Sequence, residues 1–144
     1  MFIDSQGVLP KSWFPEAAVH IVDWYSSSEG FGDELMAQRP IQLDWFRHIV
    51  NAEVFLQFPF FFVATFMLYR RQNGLRLPAL VYGSHVVTTM IPILGHLYLM
   101  KDISDAKKAR LIGVYAPYLL VPLWLVVAML RGPPFEDRTS KKRS

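Results

Sequence analysis

The sequence has no cysteine, which excludes disulfides and thiolate metal sites and leaves the redox compartment unreadable from cysteine usage. Charge is scarce in three long stretches. Residues 78–100 and 111–130 hold no Asp, Glu, Lys or Arg, and residues 49–68 hold one, Glu53. Soluble core helices of such length show a polar face at a period of about 3.6 residues, and none of these runs does. A soluble globule is therefore set aside. Lys and Arg sit at the ends of the apolar runs rather than on one face, so a nucleic-acid footprint is not expected. His and carboxylates at metal-ligand spacing are missing as well, and neither a metal nor a cofactor is expected. There is no internal repeat and no cleavable signal peptide.

What is present is apolar and segregated. Of 144 residues, 52% are hydrophobic and 15% aromatic, enough for one compact domain. A helix crosses a hydrocarbon core of about 30 Å with roughly 20 residues. The three runs have that length, and they predict transmembrane helices over about 46–69, 78–100 and 111–130, with Trp45 and Tyr69 at the interfaces of the first. Pro59, Pro92, Pro117 and Pro122 lie inside the spans and are expected to kink them, leaving room for a cavity. Residues 5–44 are rich in turn signals around an amphipathic piece near Glu16 to Tyr25, and predict a surface segment lying over the bundle. The expected domain is 1–130, followed by a disordered basic tail over 131–144.

Orientation follows from Lys and Arg near the spans. The loop at 70–76 and the tail together carry eight, against six in 1–44 and 101–110 together, which favours a cytosolic C-terminus. The N-terminal segment then lies on the lumenal side with no signal peptide to take it there, so an upstream element is expected to be missing.

Polar residues inside the runs are the candidate functional groups. Glu53 in a helix centre must be neutral or paired, and by default marks function. Gln57 is four residues on, and the pair forms a polar stripe expected to face the bundle interior; interhelical hydrogen bonding alone is the competing explanation. His85, Thr88 and Thr89 share one face of the second run and could line a wet pocket, or the histidine could be satisfied by a carbonyl. Tyr115 and Tyr118 flank Pro117, where aromatic packing accounts for at least one of them. Asp4, in the apolar start Met-Phe-Ile-Asp, reads as a loop acid or helix cap.

The segments FIDSQGVLP, AEVFLQFPFFFVATF, PALVYGSHVVTTMIPIL and VYAPYLLVPL, in that order, resemble the sigma-2 receptor family within the EXPERA superfamily, which also holds the emopamil-binding sterol isomerase. The resemblance runs over nearly the whole chain. It implies an all-α integral membrane bundle of four transmembrane helices, of which this chain has three, the first being largely absent before Phe2 to Asp4. It further implies an aspartate, here Asp4, that pairs the ammonium of cationic amphiphilic ligands, and a protonated glutamate, here Glu53, that hydrogen-bonds it. Gln57, Thr89, Val114 and Tyr118 match other cavity-lining positions, and Tyr25 matches one in the lumenal segment.

The function so implied is non-enzymatic binding of sterols or oxysterol-like lipids and cationic amphiphiles in the endoplasmic reticulum membrane, in cholesterol homeostasis. A cholesterol transporter of the Niemann-Pick C kind is the implied protein partner, and a homodimer is a further expectation. The rival is a sterol double-bond isomerase, since an acidic pair that holds an ammonium could equally stabilise a carbocation. Lys141-Lys142-Arg143-Ser144 resembles a cytosolic dilysine retrieval signal, or else is a basic cluster drawn to anionic lipid.

Overall fold

A computed structural model describes residues 2–37 and 41–135; the dilysine-like Lys141 to Ser144 lies outside the described residues. The described chain is all-α. Short helices α1 (Phe2–Ser5), α2 (Glu16–Ser26) and α3 (Glu34–Ala37) precede α4 (Asp44–Ala52), which runs through a π-helical turn (Glu53–Gln57) into α5 (Phe58–Tyr69). A 3-10 turn over Lys11–Trp13 lies between α1 and α2, another over Asn73–Leu75 leads into α6 (Arg76–Leu99), and α7 (Asp105–Arg131) closes the order. Among the described residues three helical stretches are long and apolar enough to cross a membrane, Asp44–Tyr69, Asn73–Leu99 and Asp105–Arg131. They run antiparallel in sequence order, joined by two short turns.

The helices extend past the apolar runs because a helix's first turn tolerates charge. At α7 the Ser104 hydroxyl accepts the Lys107 backbone N–H at 3.3 Å, and Asp105 lies in the first turn, where a negative charge favours the helix dipole. α6 continues through Pro92, and α7 through both Pro117 and Pro122, without interruption. Only Pro59 coincides with a change of helix type. Its ring lacks an N–H and crowds the carbonyl four residues back, and the wider π-helical turn directly upstream accommodates that crowding.

α6 and α7 form the tightest pair. A side chain at Gly83 would meet Val126 Cγ2 at 2.6 Å and the Pro122 carbonyl at 3.1 Å, so the glycine permits the close approach. At the far end of the same pair the Arg76 Nε donates to the Met129 carbonyl at 2.6 Å, tying the start of α6 to the end of α7.

The N-terminal segment does more than lie on the bundle. Val22, Leu35, Met36 and Ile41 are buried in one core with Phe46 and Val50 of α4, Ile93 and Leu97 of α6, and Leu111 of α7. It thus plugs the end of the bundle where α4 and α7 begin and α6 finishes. Each such side chain, buried from water, contributes about 1.5–3 kcal/mol. Two polar ties fix the plug: Gln6 Nε2 donates to the Ala18 carbonyl at 3.1 Å, and the Ile41 N–H to the Gly7 carbonyl at 2.9 Å. By contrast Phe55, Phe62 and Phe66 are exposed on the outer face of the first span, where lipid is the natural neighbour.

Candidate functional site

A cavity of about 630 Å³ lies under the plug, bounded by α1, α2 and all three long helices. Ile3, Phe46, Val86, Met90 and Ile93 make much of its wall apolar. Into it project Asp4 from the end of α1, Tyr25 from α2, Glu53 and Gln57 from the π-helical turn, and Val114 and Tyr118 from α7. Asp4 and Glu53 are near enough for their charges to act on each other. Residues some fifty positions apart are thereby joined by a four-residue helix and a single non-α turn.

The π-helical turn explains how two polar side chains share one opening. A turn with more residues than an α-turn widens the helix locally and keeps positions four apart close to one face. Gln57, at 6% exposure, is buried at the end of this turn, while Glu53 is half-buried at its start. The Gln57 amide lies within hydrogen-bonding reach of the Glu53 carboxyl, but its Nε2 makes no hydrogen bond of full geometry among the described residues.

The expected polar face of α6 does not line this cavity. Thr89 is not among its lining residues; its hydroxyl donates to the Val86 carbonyl at 3.0 Å. Thr88 donates to the Ser84 carbonyl at 2.8 Å, so both hydroxyls are spent on their own helix. His85 lines a separate cavity of about 450 Å³ between α5 and α6, and its Nε2 is buried without a hydrogen-bond partner among the described residues.

One important residue was not singled out in the sequence. Asp33 is fully buried; the Tyr115 hydroxyl donates to its Oδ2 at 2.6 Å and the Leu35 N–H to its Oδ1 at 3.0 Å. Tyr25 presents its hydroxyl to the same carboxyl. Burial pushes the Asp33 carboxyl above the usual carboxylate range, against the hydrogen bonds from Tyr115, Tyr25 and the Leu35 and Met36 backbone. Burial, followed by the Asp33 charge, likewise pushes the Tyr25 hydroxyl up, so that it stays a donor at neutral pH. Tyr25 and Tyr115 both line the main cavity, and Asp33 therefore positions two of its walls from outside it. For Tyr115, aromatic packing is the lesser part of the account; its hydroxyl is committed to an acid. Asp33 follows Gly30-Phe31-Gly32 in a polar, turn-rich stretch, and no periodicity marks it as buried.

Membrane-length helices closed around an apolar chamber with two carboxyls on its wall define a class of multi-pass membrane protein. The family to which the chain belongs is EXPERA (EXPanded EBP superfamily), whose profile matches residues 17–129. The chain is 36% identical over 152 residues to the Sigma intracellular receptor 2 of Xenopus tropicalis, covering 99% of this chain and 86% of that protein. It is 35% identical over 157 residues to the protein of that name from Macaca fascicularis and 34% identical over 157 residues to the one from Homo sapiens, with 99% of this chain and 86% of each relative covered.

Proposed function

We propose that this protein is an intramembrane receptor whose main cavity binds cationic amphiphilic molecules and sterols or related lipids, acting in cholesterol homeostasis in the endoplasmic reticulum. The observation that carries the reading is that two carboxyls, Asp4 and Glu53, face one largely apolar cavity of about 630 Å³. Two neighbouring carboxyls in low dielectric hold one negative charge between them far more readily than two. Such a pair complements a single ammonium, while the aliphatic and aromatic walls take the body of an amphiphile. The volume is in the range of cavities that enclose small-molecule ligands, typically 300–1,000 Å³. The names carried by the relatives support a receptor, and the dilysine-like C-terminus supports residence in the endoplasmic reticulum with a cytosolic tail. A cholesterol transporter as protein partner, and a second copy of the chain, belong to the same proposal.

The test is saturation binding of a tertiary amine to membranes containing the chain. Asp4→Asn and Glu53→Gln are each expected to weaken binding at least about tenfold, since hydrogen bonds to charged groups contribute about 1.5–3 kcal/mol. Unchanged affinity in both variants sinks the acidic-pair site. A double-bond shift in sterols incubated with the protein would instead move the reading to an isomerase.

A further inference from the structure

The cavity of about 450 Å³ between α5 and α6 has no place in the amine site. Its wall is apolar where Leu56, Phe60, Leu77 and Val81 contribute, and none of its lining residues carries a carboxyl, a guanidinium or an ammonium. Gln57 and His85 both line it, and their Nε2 atoms are each buried without a hydrogen bond of full geometry among the described residues, the Gln57 amide having only the Glu53 carboxyl of the main cavity within reach. Gln57 lies near the middle of Asp44–Tyr69 and His85 near the middle of Asn73–Leu99, so both sit close to the bilayer midplane. Water is scarce there, and an unsatisfied polar group is costly.

We propose that this cleft is a second lipid site, for an uncharged, hydroxyl-bearing membrane lipid whose oxygen bridges Gln57 and His85. The amide nitrogen only donates, whereas an imidazole nitrogen accepts or donates according to tautomer. A hydroxyl meets both requirements at once, accepting from the amide and donating to the unprotonated imidazole nitrogen. The lipid must be neutral, because a phosphate or ammonium headgroup drawn to the midplane would lose its hydration with no opposite charge in the cleft to replace it. The chemistry therefore differs from that of the main cavity, where two carboxyls await a cation.

The two cavities share a partition. Gln57 and Tyr82 line both, and the Tyr82 ring is stacked on Phe60 with centroids 4.4 Å apart and planes inclined by 7°. Occupancy on one side fixes the orientation of the Gln57 amide seen by the other. Binding in the two cavities is accordingly coupled, and the coupling is reciprocal.

The test uses the full chain in nanodiscs with photoreactive lipids: a diazirine-labelled diacylglycerol, a diazirine-labelled cholesterol, and the methyl ether of each. Capture of one or both free alcohols is expected to saturate, to map by mass spectrometry to the segment from Leu77 to His85, and to exceed capture of the matching ether roughly three- to tenfold, because the ether oxygen still accepts from the amide but has no hydrogen to donate to the imidazole. The better-captured alcohol identifies the lipid source. Val81→Trp, at an exposed position on the cleft wall, should block capture by filling the space, His85→Leu should reduce it to the level of the ether, and His85→Gln should retain it. Tertiary-amine binding measured on the same variants reports folding, and it should persist in all three. Equal capture of alcohols and ethers, labelling confined to α7, or capture indifferent to both Val81→Trp and His85→Leu overturns the proposal and leaves the amine site standing.

Discussion

Acidic residues in this chain are used in two ways, and the difference lies in what surrounds each carboxyl. Asp4 and Glu53 face a cavity, whereas Asp33 is enclosed by donors from α7, α2 and its own turn. Tyr115→Phe deletes the 2.6 Å donor and leaves a buried oxygen short of a partner, at an expected cost of about 1–3 kcal/mol, read as a lower thermal midpoint in detergent. The pH dependence has a definite sign. Because the folded-state pKa of Asp33 is raised by burial, its contribution to stability is fully present below the ordinary carboxylate range and is lost as pH rises through the raised value. Midpoints measured upward from acidic pH should fall in the parent chain, and Asp33→Asn should remove that part of the slope; parallel profiles would contradict the assignment. Glu53 and Gln57 were legible in the sequence because an acid and an amide stand out in an apolar run. Asp33 was not, since its burial is made by Tyr115 packing across a sequence gap of 82 residues.

At the scale of the helix, hydropathy located the spans but not their ends. The charged turn Asp105 to Arg110 is helical because Ser104 caps it, a local hydrogen bond that an apolar count cannot register. Proline left different marks: Pro59 adjoins a departure from α-geometry, whereas Pro92, Pro117 and Pro122 are carried within continuous helices, which a bend at proline does not interrupt. Glycine separates more sharply once neighbours are known. Gly83→Ala drives a methyl group into Val126 and the Pro122 carbonyl, and should destabilise by about 1–3 kcal/mol through overpacking. Gly95 has nothing within 4 Å of an added Cβ, so Gly95→Ala should be neutral or stabilising by about 0.5–1 kcal/mol. Thermal unfolding of the two variants side by side is the check, and equal effects would mean that α6 and α7 do not pack as described.

The whole molecule has two unlike ends. One carries the plug of α1 to α3 and the turn between α6 and α7; the other carries the Arg70-Arg71 turn and the end of α7, where Arg76 reaches the Met129 carbonyl. The all-α bundle of membrane-length helices was readable from hydropathy, but the plug was not, because Val22, Met36 and Ile41 are scattered among polar residues and acquire a common face only on folding. Placing the plug over the acidic cavity sets its two carboxyls nearer one membrane surface, and in the proposed orientation, with a cytosolic tail, that surface is the lumenal one. The absence of native cysteine allows a clean measurement. Gln72→Cys and Asp102→Cys place single thiols at exposed turn positions on opposite ends. In sealed microsomes an impermeant maleimide should label Cys at position 72 at once and at position 102 only after permeabilisation. The reverse order would invert the topology and put the plug and the cavity mouth toward the cytosol, and equal labelling before permeabilisation would place both turns on one side, which three membrane crossings in this order do not permit.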